Sequence, residues 1–192
     1  LNASLYKKTG NLKALIVTGC MAQRYKDEII KEIPEVDAVV GTGNIQEIRD
    51  AINEQVSGVS RRKLFVDDPK DVDYLDNIRM LSQAGSSQYL KIAEGCSNHC
   101  TYCIIPYLRG PFRSRTIESI TAEAERLVNA GAKELILIAQ DVTRYGKDRY
   151  GEYRLVELIR KLSEIDGLKW IRLLYCYPER ITEELVDELK NN

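Results

Sequence analysis

Apolar positions along this chain follow two alternating rhythms, short β-branched runs and longer stretches at helical spacing. Residues 12–18, LKALIVT, form the first run and end at Gly19 and Cys20, which predicts a buried strand. The segment AQRYKDEIIKEI (22–33) puts Tyr25, Ile29 and Ile30 on one helical face, with Pro34 as the stop. VDAVVGT (36–42) predicts a second strand, and NIQEIRDAINEQV (44–56) a second helix with Asn44 as its N-cap. This β-α-β-α order predicts a parallel sheet covered on both faces. Residues 57–87 lose the period and carry scattered charges, Pro69 and QAGSS. They read as a linker with one short strand at 64–66.

The alternation restarts at residue 88. QYLKIAEG (88–95) reads as a strand. In 117–131, Ile117, Ile120, Ala124, Leu127 and Val128 fall at helical spacing, with Gly131 at C′. KELILIAQ (133–140) predicts a strand, 153–165 a helix closed by Gly167, and KWIRLLYC (169–176) a strand. A last helix begins near Thr182, whose hydroxyl can cap it, with Glu183 and Glu184 in the positive first turn. Three strand–helix units do not close a barrel, so this region is either the first half of one or a small open sheet. The expected organisation is therefore α/β: a parallel α/β domain over 1–57, a linker over 58–87, and a second domain over 88–192.

Composition narrows the setting. The 192 residues are 44% hydrophobic and 30% charged, as in ordinary globular proteins. A net charge of −1 gives no global attraction to nucleic acid or an anionic membrane. No apolar run approaches the roughly eighteen residues of a membrane span. Five cysteines, an odd number and tightly clustered, argue against a secreted disulfide scaffold and for a reducing cytoplasm. The first residue is Leu1, which leads us to expect sequence upstream of it.

Three cysteines, Cys96, Cys100 and Cys103, stand as C-x3-C-x2-C in EGCSNHCTYCIIPYLRG (94–110). They follow a strand end, where the βα loops of α/β folds place their chemistry. Structural zinc and simple electron-transfer clusters take four ligands. A [4Fe–4S] cluster on three thiolates leaves one iron open to a substrate or cofactor. The alternatives are a zinc site completed by His99, Cys20 or Cys176, or an Fe–S module without catalysis. His99 adjoins Cys100, so joint chelation of one ion would strain the loop.

This spacing, with Tyr102 before the last cysteine, resembles the signature of the radical S-adenosylmethionine (SAM) enzymes. YLKIAEGCSNHCTYCIIPYLRGPFRSR resembles their methylthiotransferase branch, and ALIVTGCMAQRY resembles that branch's N-terminal domain. The resemblance implies a [4Fe–4S] cluster on Cys96, Cys100 and Cys103, whose open iron binds SAM for reductive cleavage to a 5′-deoxyadenosyl radical. It also implies a second, auxiliary cluster with Cys20 as one ligand and two ligands that this chain does not contain. The second domain would then be the first half of a radical SAM (β/α) barrel, preceded by a truncated N-terminal domain. AQDVTRYGKDRYGEYRLVEL and WIRLLYCYPERITEEL resemble the branch member that modifies an aspartate of small-subunit ribosomal protein twelve; other members modify tRNA adenosines. The implied partners are that ribosomal protein and a protein reductant.

Other residues keep two readings each. The resemblance places Gln140 and Asp141 at the SAM amino group, and an amide with a carboxylate suits an ammonium; Asp141 can equally cap the following turn. Tyr102 can pack on the SAM adenine or fill the space beneath the loop. Of Arg109, Arg113 and Arg115, one is expected to serve the cluster or cofactor, the plain alternative being a solvated loop. Cys176 is expected to be a buried or half-buried thiol, and His99 a loop residue. The eleven tyrosines form no stacking array for single-stranded RNA, so direct nucleic-acid binding by this chain is not expected.

Overall fold

A computed structural model describes residues 2–57, 63–70 and 85–192. The chain divides into two compact units, Leu1–Tyr74 with Cys100–Gly110, and Leu75–His99 with Pro111–Asn192.

The first unit opens with α1 (Asn2–Thr9), a helix the apolar pattern did not predict. It is tied down by Lys7, whose ammonium meets Asp37 at 2.6 Å and the Glu35 carbonyl at 2.7 Å. The strands β1 (Ile16–Thr18), β2 (Ala38–Val40) and β3 (Lys63–Phe65) make a parallel sheet in the order β1-β2-β3. Between them run α2 (Cys20–Glu32), kinked at Tyr25, and α3 (Ile48–Val56). Side chains alternate across the sheet as a strand's period of two requires. Ile16, Ala38, Val40 and Phe65 pack with Ile48 and Ala51 of the α3 region. Val17, Val39 and Val66 pack with Ala22, Ile29 and Ile30 of α2. Both faces are covered, which is why β2 reads as an unbroken apolar run. The short helix α4 (Ile105–Arg109) belongs to this unit, and its Leu108 carbonyl accepts the Thr42 hydroxyl.

Two expectations change here. Asn44 does not cap a helix through its side chain. Its amide instead donates to Asp67 and Glu47, and its carbonyl accepts the Asp67 N–H at 2.8 Å. The Asp67 N–H, 23 residues on, takes the side-chain oxygen that a cap would offer to a local N–H. The span 58–87 contains the third strand of the sheet, β3, at the place expected for a short strand; its residues 58–62 and 71–84 lie outside the described residues.

The second unit holds a parallel sheet of β4 (Ser87–Lys91), β7 (Glu134–Ile138) and β8 (Trp170–Leu173), in that order. The strand expected over 88–95 breaks at Ile92, and β5 (Ala93–Glu94) turns away to pair antiparallel with β6 (Arg113–Ser114). Helix α5 (Ile117–Asn129) starts at Thr116, whose hydroxyl accepts the Ser119 N–H at 3.1 Å. It ends before Gly131, whose φ of 109° suits a residue without a Cβ. A short α6 (Lys147–Tyr150), then α7 (Leu155–Ser163), lead to β8. The final helix α8 (Glu183–Asn191) is capped by Thr182, as expected.

One core runs through this unit. Leu90, Leu135 and Leu137 of the sheet meet Ile120, Leu127, Leu158, Leu162 and Leu185 of the helices. The alternate residues Tyr89 and Trp170 are 55% and 61% exposed. Among the described residues, helices therefore cover one sheet face only, which is the barrel arrangement rather than the doubly covered open sheet. The fold is mixed α/β with parallel sheets, and the second unit has the strand–helix order expected of part of a barrel.

Candidate metal centre

The cysteine loop leaves the sheet at β5 and returns at β6, so its two ends are joined at Ala93–Ser114 and Glu94–Arg113. Gly95 opens it with φ 73°, a left-handed turn that favours glycine. Cys96 follows and is buried, at 8% exposure. Ser97 accepts the Phe112 N–H at 3.0 Å. His99 is exposed, with φ 48°, in keeping with a loop residue. Cys100 and Cys103, partly buried, fall in the segment Cys100–Gly110 of the first unit, where the Cys103 N–H meets the Cys100 carbonyl at 2.9 Å.

All five cysteines are free thiols. The donor set is soft and closely spaced in sequence, which fits a thiolate-held iron–sulfur cluster. Among the described residues no three His, Cys, Asp or Glu side chains are gathered as a metal site. Cys20 is the first residue of α2 in the first unit, directly after the end of β1. Cys176 lies past β8, half-buried against the core, and burial, aided by the Asp141 charge, pushes its thiol pKa up.

The ends of β7 and β8 carry the polar machinery. Gln140 is exposed. Asp141 is fully buried and does not cap the turn after it. One oxygen accepts the Thr143 hydroxyl; the other meets Arg180 at 2.9 Å and the Asn98 amide at 3.4 Å. The second Arg180 nitrogen donates to the Asn98 carbonyl at 3.4 Å. The guanidinium also lies 5.4 Å from the Tyr177 ring centre. Backbone bonds stitch the same ends together, Val142 N–H to the Tyr175 carbonyl at 3.1 Å.

Neither Asn98 nor Arg180 was singled out from the sequence. Arg180 lies 39 residues from Asp141 and 82 from Asn98, and no local motif links such positions.

Tyr102 is 90% exposed, so it does not fill the space beneath the loop. Arg115 is no solvated loop residue either. It is 4% exposed, pairs with buried Glu123 at 2.6 Å, and donates to the Lys91 carbonyl at 2.8 Å and the Ser119 hydroxyl at 2.9 Å. It pins β4 to α5. Arg109 and Arg113 are partly buried. Tyr145, fully buried, donates its hydroxyl to the Arg115 carbonyl at 2.9 Å, and burial raises its phenol far above the ordinary range.

No helix among the described residues is long and apolar enough to cross a membrane. A family model described as the radical SAM superfamily matches residues 90–192, more than half of the chain. The ribosomal protein uS12 methylthiotransferase RimO of Acetivibrio thermocellus is 56% identical over 96% of the chain and 42% of its own length. The protein of that name from Clostridioides difficile is 54% identical over 99% of the chain and 42% of its own length. The chain thus spans about two fifths of the length of these relatives. A solved radical SAM methyltransferase, TsrM from Kitasatospora setae, resembles 53% of the chain at 21% identity and a TM-score of 0.40.

Proposed function

Because the chain belongs to the radical SAM superfamily, we propose that it is the cluster-bearing part of a methylthiotransferase acting on an aspartate of small-subunit ribosomal protein uS12. The observation that carries this reading is 56% identity over nearly the whole chain to a protein of that activity. A match of that length draws on nearly the whole chain and not on a single motif.

Cys96, Cys100 and Cys103 would hold the [4Fe–4S] cluster, and Cys20 an auxiliary cluster together with ligands from outside the chain. When bound, cluster and SAM supply homolytic removal of a hydrogen that no side-chain base can take as a proton. The protein's own task is to position. The β5–β6 pair fixes the loop ends, and the clamp of Asp141, Asn98 and Arg180 fixes the chain leaving Cys96. Tyr102 and Gln140, both exposed, are free to meet the cofactor; Asp141 stands at the same strand end with its carboxylate already engaged. A protein reductant supplies the electron, in the cytoplasm where uS12 is made.

The test is expression of the full-length protein in a cell lacking its own uS12 methylthiotransferase. Mass spectrometry should find a methylthio group on one aspartate of uS12. A methylthioadenosine in digested tRNA, with uS12 unchanged, would reverse the assignment of substrate.

A further inference from the structure

A carboxylate as fully buried as Asp141 is strongly destabilised unless donors meet both oxygens. Thr143, Arg180 and Asn98 meet them, and of these only Arg180 brings a compensating charge. Its planar fork serves two partners at once, Nη1 on Asp141 at 2.9 Å and Nη2 on the Asn98 carbonyl at 3.4 Å. The Asn98 amide is therefore gripped at both ends, by the carboxylate and by the guanidinium. Asn98 lies two residues past Cys96, within the C-x3-C spacing. Arg180 itself is fixed by the 3-10 turn Pro178–Arg180 that follows β8.

We propose that Arg180 is a positioning residue for the cysteine loop. It balances the buried charge of Asp141 and, through Asn98, fixes the backbone that leaves Cys96. A lysine, a single point charge, cannot span both partners. It follows that the Asp141 carboxylate is committed inside the protein, and that the SAM ammonium is met by other groups. This last consequence rests on the functional reading above; the clamp itself does not.

Hydrogen exchange of the amides from Gly95 to His99 tests the clamp in the full-length protein, with and without reconstituted iron and sulfide. Arg180→Gln should speed their exchange about tenfold or more, the factor expected from one lost charge-assisted hydrogen bond. The amides of α5 and α7 should keep their protection. Asn98→Ala, a milder change at a partly exposed position, should act alike, and combining the two should add little, since both open one clamp. Arg180→Lys should restore protection only in part. Unchanged loop exchange in Arg180→Gln and Asn98→Ala would refute the proposal. Equilibrium SAM binding then tests the role of Asp141. Arg180→Gln and Asp141→Asn should weaken it by similar factors, with no further loss in the double variant. A much larger loss in Asp141→Asn alone, additive with Arg180→Gln, would mean that Asp141 meets the ammonium directly and would overturn the assignment. If the unsubstituted protein takes up no cluster, the functional reading fails while the exchange result still decides the clamp.

Discussion

Removing the Arg115 guanidinium should unfold the second unit more readily than any change to an exposed charge. Arg115 and Glu123 are 4% and 8% exposed and stand 2.6 Å apart, so neither is screened by water. Arg115→Met keeps most of the volume but leaves the Glu123 carboxylate buried without its cation, and takes donors from the Lys91 carbonyl and the Ser119 hydroxyl. Breaking a buried pair in this way costs about 3–5 kcal/mol. For a chain of this size that lowers Tm by roughly ten degrees. Arg115→Met with Glu123→Leu removes both charges, and apolar replacement of a whole buried pair is often close to neutral, so most of the loss should return. Urea unfolding followed through Trp170, the chain's one tryptophan and part of β8, reports this unit. The reasoning is refuted if Arg115→Met costs less than about 1 kcal/mol, the range of a surface pair, or if the double variant is as unstable as the single one. Iron uptake separates the pin from a cofactor contact: the stable double variant should still bind iron.

Three further outcomes are expected. After anaerobic reconstitution, Cys96→Ala, Cys100→Ala and Cys103→Ala should each lose the cluster iron, while Cys20→Ala should leave it in place; iron and sulfide analysis that finds the site emptied by Cys20→Ala would show the ligands to be misassigned. The Cys176 thiol, its pKa raised by burial and then by Asp141, should be alkylated with a midpoint above that of an ordinary thiol, and Asp141→Asn should lower that midpoint only in part. Because the folded pKa is the higher one, the stability tied to this thiol is complete below the ordinary thiol pKa and is lost as pH rises through the raised value; a midpoint at the ordinary value would contradict the burial argument. Gly41→Ala should cost about 1–3 kcal/mol, because the new Cβ would run into the Gln23 amide oxygen and approach Val66 Cγ1 at 3.0 Å. That oxygen is held by the Thr42 N–H at 2.9 Å and cannot swing aside freely; urea unfolding with no measurable loss would mean that it does.

The chain's own order of residues determined its elements. Apolar runs and helical spacing located both parallel sheets, the Thr182 cap and the Gly131 stop, because these depend on neighbours within a turn or a strand. C-x3-C-x2-C suggested the metal chemistry proposed above for the same reason, since thiolates a few residues apart can share one cluster. What the sequence left open was decided at long range. Whether helices cover one sheet face or two follows from how Leu135 and Leu137 bury while Tyr89 and Trp170 do not. Asn44 exchanged a helix cap for Asp67, 23 residues on, and Arg115 proved to be a buried pin only once α5 was folded against it. The roles of Asp141, Asn98 and Arg180 appear only in the tertiary structure. Burial removes water as the competing partner, so a charge must find its counter-charge wherever the fold brings one, and sequence distance carries no information about where that is.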